Sequence, residues 1–277
     1  MRRILLPVIL LSSLALAAQT NKLHVTSQRT GMVLIAAATD GAALATDGAQ
    51  FNADGTSSEV QKLFQVGKYG AILFSGNVSI QDPVDRPVRE EVNAARIAKG
   101  WLDSHPDSTM KTAYSEINSL VLQTLTKFFS IRKSGTQAGK YLFSVIGVGV
   151  DGGKLLRTNE NYFVPAAQGR APRIERTSGT LKAGEIEGRG SEAILSQLVS
   201  GRSAAFKKFR AEPAMKKFLN ATKGEGLSTQ DFIDVFNIAL AAVESEEGKM
   251  FSHGSSNVSP PNRFAIISPK DGFVWKK

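Results

Sequence analysis

Apolar residues follow two rhythms along this chain. Short unbroken runs at Val33–Ala38, Ala42–Thr46 and Ala71–Ser75 are bounded by turn-forming residues, the pattern of strands covered on both faces. Asp40-Gly41 lies between the first two runs and tolerates the positive φ of a tight turn, which predicts a hairpin. All three runs are expected in adjacent strands. A slower rhythm of threes and fours then sets in. Asp82–Leu102 opens with Pro83 and Pro87 and carries Val88, Val92, Ala95, Ile97 and Leu102 at near-helical spacing. Met110, Tyr114, Ile117, Val121, Leu125 and Phe128 continue it after a start at Asp107-Ser108.

Strand patterning returns at Tyr141–Gly149, with Asp151-Gly152-Gly153 as a turn and Lys154–Asn159 as the partner. Gly188-Arg189-Gly190 reads as a glycine turn leading into a helix. Ser228 and Asp231 form a capping-box variant ahead of Phe232, Val235, Phe236, Ala239, Leu240 and Val243, which predicts a long amphipathic helix. Arg263–Ser268 and Phe273–Trp275 flank Lys270-Asp271-Gly272 and predict a closing hairpin. Strands, two helices, strands, helices and strands in this order predict an α+β fold of antiparallel sheets with helices packed outside.

Composition refines this picture at the ends of the chain. Met1-Arg2-Arg3, an apolar run from Ile4 to Leu11 and the small residues up to Ala18 have the three regions of a secretory signal. Cleavage is expected near Ala17 or Ala18, giving an exported protein with residues 19–30 as an N-terminal extension or propeptide and 31–277 as one domain. At 277 residues and 42% apolar content with both charge signs, the chain is long and apolar enough to bury a full core. No Cys is present, so disulfides, thiolate nucleophiles and Cys-ligated zinc are excluded, and His24, His105 and His253 lack metal-site spacing. No metal or cofactor is expected.

The formal net charge of +9 is concentrated in residues 201–226, where Arg202, Lys207, Lys208, Arg210, Lys216 and Lys217 alternate with Phe206, Phe209, Met215, Phe218 and Leu219. The pattern predicts a basic-faced helical hairpin packed on the body, and the partner class for its free face is an anionic surface. Export argues against nucleic acid.

One constellation carries candidate chemistry. Gly31-Met-Val-Leu-Ile leads to Asp40-Gly41 and then to Asp47; Val60-Gln-Lys62 follows, and Tyr69–Gly76 ends in Gly. This order resembles the start of proteasome β-type and HslV-like subunits, within the N-terminal-nucleophile hydrolases. The resemblance implies a four-layer αββα sandwich of two antiparallel sheets flanked by helices. It also implies a threonine-type amidohydrolase or peptidase in which Asp47 and Lys62 flank the nucleophile and a backbone N–H at Gly76 stabilises the oxyanion. A peptide or amide substrate and homo-oligomeric assembly come with it.

The resemblance assigns the nucleophile to Thr30, which requires self-processing at Arg29-Thr30 so that the α-amino group of Thr30 becomes free to act as base. The family spacing counted back from Asp47 lands on Gly31, so a one-residue bulge is needed to bring Thr30 into place. Arg189 stands where catalytic subunits carry Ser between two glycines, and Ser255, Ser256 and Ser259 are candidates for the displaced hydroxyl. The alternative is a non-catalytic member, similar to the family's α-type subunits, with the same fold and a structural or binding role. A binding protein of unrelated α+β fold is the third reading.

Overall fold

The computed structural model describes residues 31–51, 57–81, 91–131, 138–190, 192–199, 201, 203–221, 226–251 and 260–276. The first half contributes β1 (Val33–Ala37), β2 (Ala42–Thr46), β3 (Ala49–Phe51), β4 (Ser57–Glu59), β5 (Leu63–Val66), β6 (Gly70–Gly76), β7 (Ser79–Gln81), β8 (Glu91–Asn93), α1 (Ala94–Ser104) and α2 (Met110–Ser130). The second contributes β9 (Tyr141–Asp151), β10 (Lys154–Phe163), β11 (Arg173–Thr180), β12 (Ile186–Arg189), α3 (Glu192–Val199), α4 (Lys207–Arg210), α5 (Pro213–Asn220), α6 (Thr229–Glu244), α7 (Glu246–Phe251), β13 (Arg263–Ser268) and β14 (Gly272–Lys276).

Two five-stranded antiparallel sheets form the centre, one in the order β12-β1-β2-β13-β14 and the other β11-β10-β9-β6-β5. Period-2 alternation explains how each sheet is covered twice. In β1, Val33 and Ile35 meet Leu63, Leu73 and Ile146 of the opposite sheet, whereas Leu34 and Ala36 join Phe232, Phe236 and Leu240 of α6. In β6, Ala71 and Leu73 face the other sheet while Ile72 and Phe74 pack under Ile117, Val121 and Leu125 of α2. The layers are therefore α1 and α2, sheet, sheet, then α3 to α6. This is the αββα sandwich of two antiparallel sheets that the resemblance implied.

Several boundaries moved. The apolar run of β6 belongs to the second sheet, not beside β1 and β2; a strand buried on both faces gives no sign of which sheet it joins. The helix expected from Asp82 begins only at Ala94, because Glu91–Asn93 pairs with β7 and Asn93 accepts the Arg96 N–H at 2.9 Å as a cap. Asp40 does more than turn the first hairpin: its carboxylate accepts the backbone N–H of Thr229 at 2.8 Å and its hydroxyl at 3.0 Å, tethering the start of α6. There the capping box forms as predicted between Ser228 and Asp231. Glycines 188 and 190 are split, with Gly188 inside β12 and Gly190, at φ +104, making the bend before α3.

The basic segment packs onto the body through buried Phe206 and Met215. Its acids come from far along the chain: Lys208 pairs with Glu247 at 2.7 Å and Lys217 with Asp231 at 2.6 Å. The Lys217 ammonium, hydrogen-bonded to Asp231, holds that carboxyl below the usual carboxylate range. Arg202 lies outside the described residues.

Candidate active site

One end of the sandwich collects the candidate residues. Asp47 follows the last residue of β2 in the first sheet, and Lys62 precedes β5 in the second, so a contact between them spans the two sheets. Lys62 Nζ lies 3.1 Å from both carboxylate oxygens of Asp47, at 1% and 0% side-chain exposure. The backbone N–H of Met32 also donates to Asp47 Oδ1, at 2.7 Å, which fixes the carboxylate against the head of β1. A carboxylate and an ammonium removed from water are tolerated only when paired and hydrogen-bonded, and both conditions are met.

The residue standing over this pair is Gly31. Its φ of +92 belongs to the left-handed region, and a Cβ there would collide with Lys62 Nζ. The first hairpin pairs without a register shift from Ala37↔Ala42 to Val33↔Thr46, and the Asp47 N–H continues the ladder to the Met32 carbonyl at 3.2 Å. No bulge therefore lies between Met32 and Ala37, and within that span nothing advances the register toward Thr30. Thr30 itself, with Arg29, Ser255, Ser256 and Ser259, lies outside the described residues.

Gly76 ends β6 at φ +94, where a Cβ would press within 2.8 Å of the Leu142 carbonyl oxygen. It lines a cavity of about 230 Å³ with Ser75, Tyr141, Asn161, Phe163, Arg189 and Gly190. Gly190 packs so closely on Gly31 that a side chain would strike the Gly31 carbonyl, so the cavity adjoins the Asp47–Lys62 pair. Arg189 enters from β12. Its Nε and Nη2 each reach Glu187 Oε1 at 2.7 Å, and its Nη1 donates to Asn161 Oδ1 at 3.1 Å.

Sequence reasoning singled out Asp47, Lys62, Gly76 and Arg189, and the fold gathers them at one end. It missed Tyr141, Ser144, Asn159 and Asn161. The signal available for two of them was spacing: Asn159 and Asn161 are two apart in a strand and so share a face. Among the described residues, no group of three or more His, Cys, Asp or Glu side chains converges as a metal site would.

The chain matches no protein-family model and no curated protein. Solved structures similar to it include the Anbu (Gly-1) mutant from Hyphomicrobium sp. strain MC1, 12% identical over 89% of this chain and 85% of that chain, with a TM-score of 0.46. The fold assignment rests on the layers described above rather than on that likeness.

Proposed function

We propose that this chain is an exported, non-catalytic member of the proteasome-like fold that binds peptide or amide ligands at the Asp47–Lys62 end of the sandwich. The observation that carries this reading is Gly31: the family spacing puts the nucleophile there, the residue has no side chain, and Lys62 Nζ occupies the space one would fill. At that position there is no hydroxyl for the ammonium to activate. Its remaining work is electrostatic, holding the head of β1 and the wall of a ligand cavity.

A second reading is favoured by the intact Asp47–Lys62 pair at the same end of the sandwich as the Gly76 cavity. Cutting Arg29-Thr30 would expose the α-amino group of Thr30, and Lys62 would then stabilise the alkoxide of a threonine peptidase. Incubating the full chain with N-acetylated tripeptide amides separates the two. Line broadening or shifts of cavity resonances with no hydrolysis product in the mass spectrum is the expected result. Product formation that disappears in Thr30→Ala and Lys62→Ala would establish the peptidase instead. Export is tested by cell fractionation, with the chain expected outside the cytoplasm and residues 1–18 absent from the mature protein.

A further inference from the structure

We infer that the cavity between β12 and β6, β9 and β10 is a carboxylate subsite, and that the bound peptide presents either its C-terminal carboxylate or an acidic side chain to Arg189 and Asn161. The inference rests on the binding reading above and names its ligand.

The wall of this cavity is ordered by a directional chain of hydrogen bonds. Arg189 has only donors, so the Asn161 atom it meets at 3.1 Å is the amide oxygen. The same oxygen accepts from Ser144 Oγ at 2.6 Å and from Asn159 Nδ2 at 3.0 Å. Because Ser144 spends its proton on Asn161, its 2.7 Å contact with Tyr141 uses the tyrosine's proton, and Tyr141 OH also lies 3.2 Å from the Ser75 carbonyl. Four side chains thus lock the Asn161 amide in one orientation, leaving its NH₂ without a partner among the described residues.

Arg189 is likewise only partly used. Three of the five guanidinium N–H groups go to Glu187 and Asn161, leaving one on each Nη. Glu187 is shared, since its other oxygen pairs with Arg157, so two guanidiniums face one carboxylate and the group keeps a net positive charge. The adjoining Asp47–Lys62 pair is neutral as a unit and does not cancel it. A cavity that offers amide and guanidinium donors under net positive charge selects a planar acceptor with two oxygens. Arg189 is one-quarter exposed, reachable from solvent and backed by protein.

The test uses the full chain and three peptides: N-acetyl-trialanine as the free acid, its C-terminal amide, and N-acetyl-Ala-Asp-Ala amide. Affinities are measured by calorimetry or resonance shifts at low salt, with mass spectrometry to detect cleavage. At least one acid-bearing peptide should bind about tenfold or more tightly than the neutral amide, the scale expected of a charge-assisted hydrogen bond. Arg189→Gln should erase that preference, Asn161→Asp should reduce it, and Arg189→Lys, which keeps the charge without the fork, should retain part of it. Which acid-bearing peptide wins distinguishes a chain terminus from an acidic side chain. Equal affinity for all three peptides, or an undiminished preference in a folded Arg189→Gln protein, overturns the carboxylate subsite but leaves peptide binding standing. Binding of none overturns both, and cleavage overturns the non-catalytic reading alone.

Discussion

Two buried polar clusters in this molecule invite comparison. On the outer face of the second sheet, under α2, Tyr162 OH sits 2.6 Å from Asn118 Oδ1 and 3.1 Å from Glu160 Oε2, and Glu160 Oε1 accepts from Arg176 Nε at 2.9 Å. At the end of the sandwich, Asp47 and Lys62 pair at 3.1 Å and are buried more deeply, at 0% and 1% side-chain exposure. In the first cluster the phenol, amide, carboxylate and guanidinium answer one another, and its Glu160–Arg176 end opens to solvent. The second adjoins a cavity lined by Asn161 and Arg189. A buried carboxylate is common to both, so burial alone says nothing about function. What distinguishes the second is the adjoining cavity, where Arg189 and Asn161 keep donors without partners among the described residues.

Breaking the ion pair should have the largest effect. Lys62→Ala removes the ammonium that faces the buried Asp47 carboxylate, and a loss of about 3–5 kcal/mol in denaturant unfolding is expected. The double variant Asp47→Asn, Lys62→Met should recover part of it, since no charge is then stranded. A full-sized loss in the double variant would show that packing, not charge, dominates there.

In the Tyr162 cluster, Tyr162→Phe should cost about 1–3 kcal/mol by leaving the Asn118 oxygen and the Glu160 carboxylate without their shared proton. Burial, reinforced by the Glu160 charge, pushes the phenols of Tyr162 and Tyr114 well above the ordinary tyrosine value. A pKa raised in the folded state means stability that is complete below the unfolded value of about 10 and is lost as pH rises beyond it. Unfolding midpoints should therefore fall above about pH 10, and Tyr162→Phe should flatten that slope. A slope unchanged in the variant would assign the alkaline loss to other groups.

Gly31→Thr sharpens the comparison at smaller scale. Left-handed φ alone costs a β-branched residue about 1–2 kcal/mol, and Lys62 must also retreat from the new Cβ. A stability equal to the parent chain would mean that the head of β1 is free to adjust, weakening the argument from Gly31. The smallest effect is expected at the helix tethered by Asp40, where Ser228→Ala should cost about 1 kcal/mol by removing half of the capping box.

The legibility of this fold from sequence divides along physical lines. α2 and α6 were readable because one apolar stripe per turn survives in the sequence, and the closing hairpin because its turn residues are unambiguous. β11 and β12 were not, since β11 is an exposed edge strand with almost no buried residue and β12 is short and charged. β6 was readable as a strand but not as a member of its sheet. Asp47 and Lys62 were found because their order and spacing resemble those of proteasome β-type subunits. The Tyr141–Ser144–Asn161 chain was not, because polar residues scattered over two strands gain meaning only when the register brings them together.

The central claim is that the family's nucleophile position falls on Gly31, which carries no nucleophile. The intact mass of the purified full-length protein, followed through storage at neutral pH, tests it most directly. The account predicts no species beginning at Thr30, with mass unchanged in Thr30→Ala and Lys62→Ala apart from the substitutions themselves. A species starting at Thr30 that accumulates with time and vanishes in Lys62→Ala would contradict it and make this site a working threonine hydrolase.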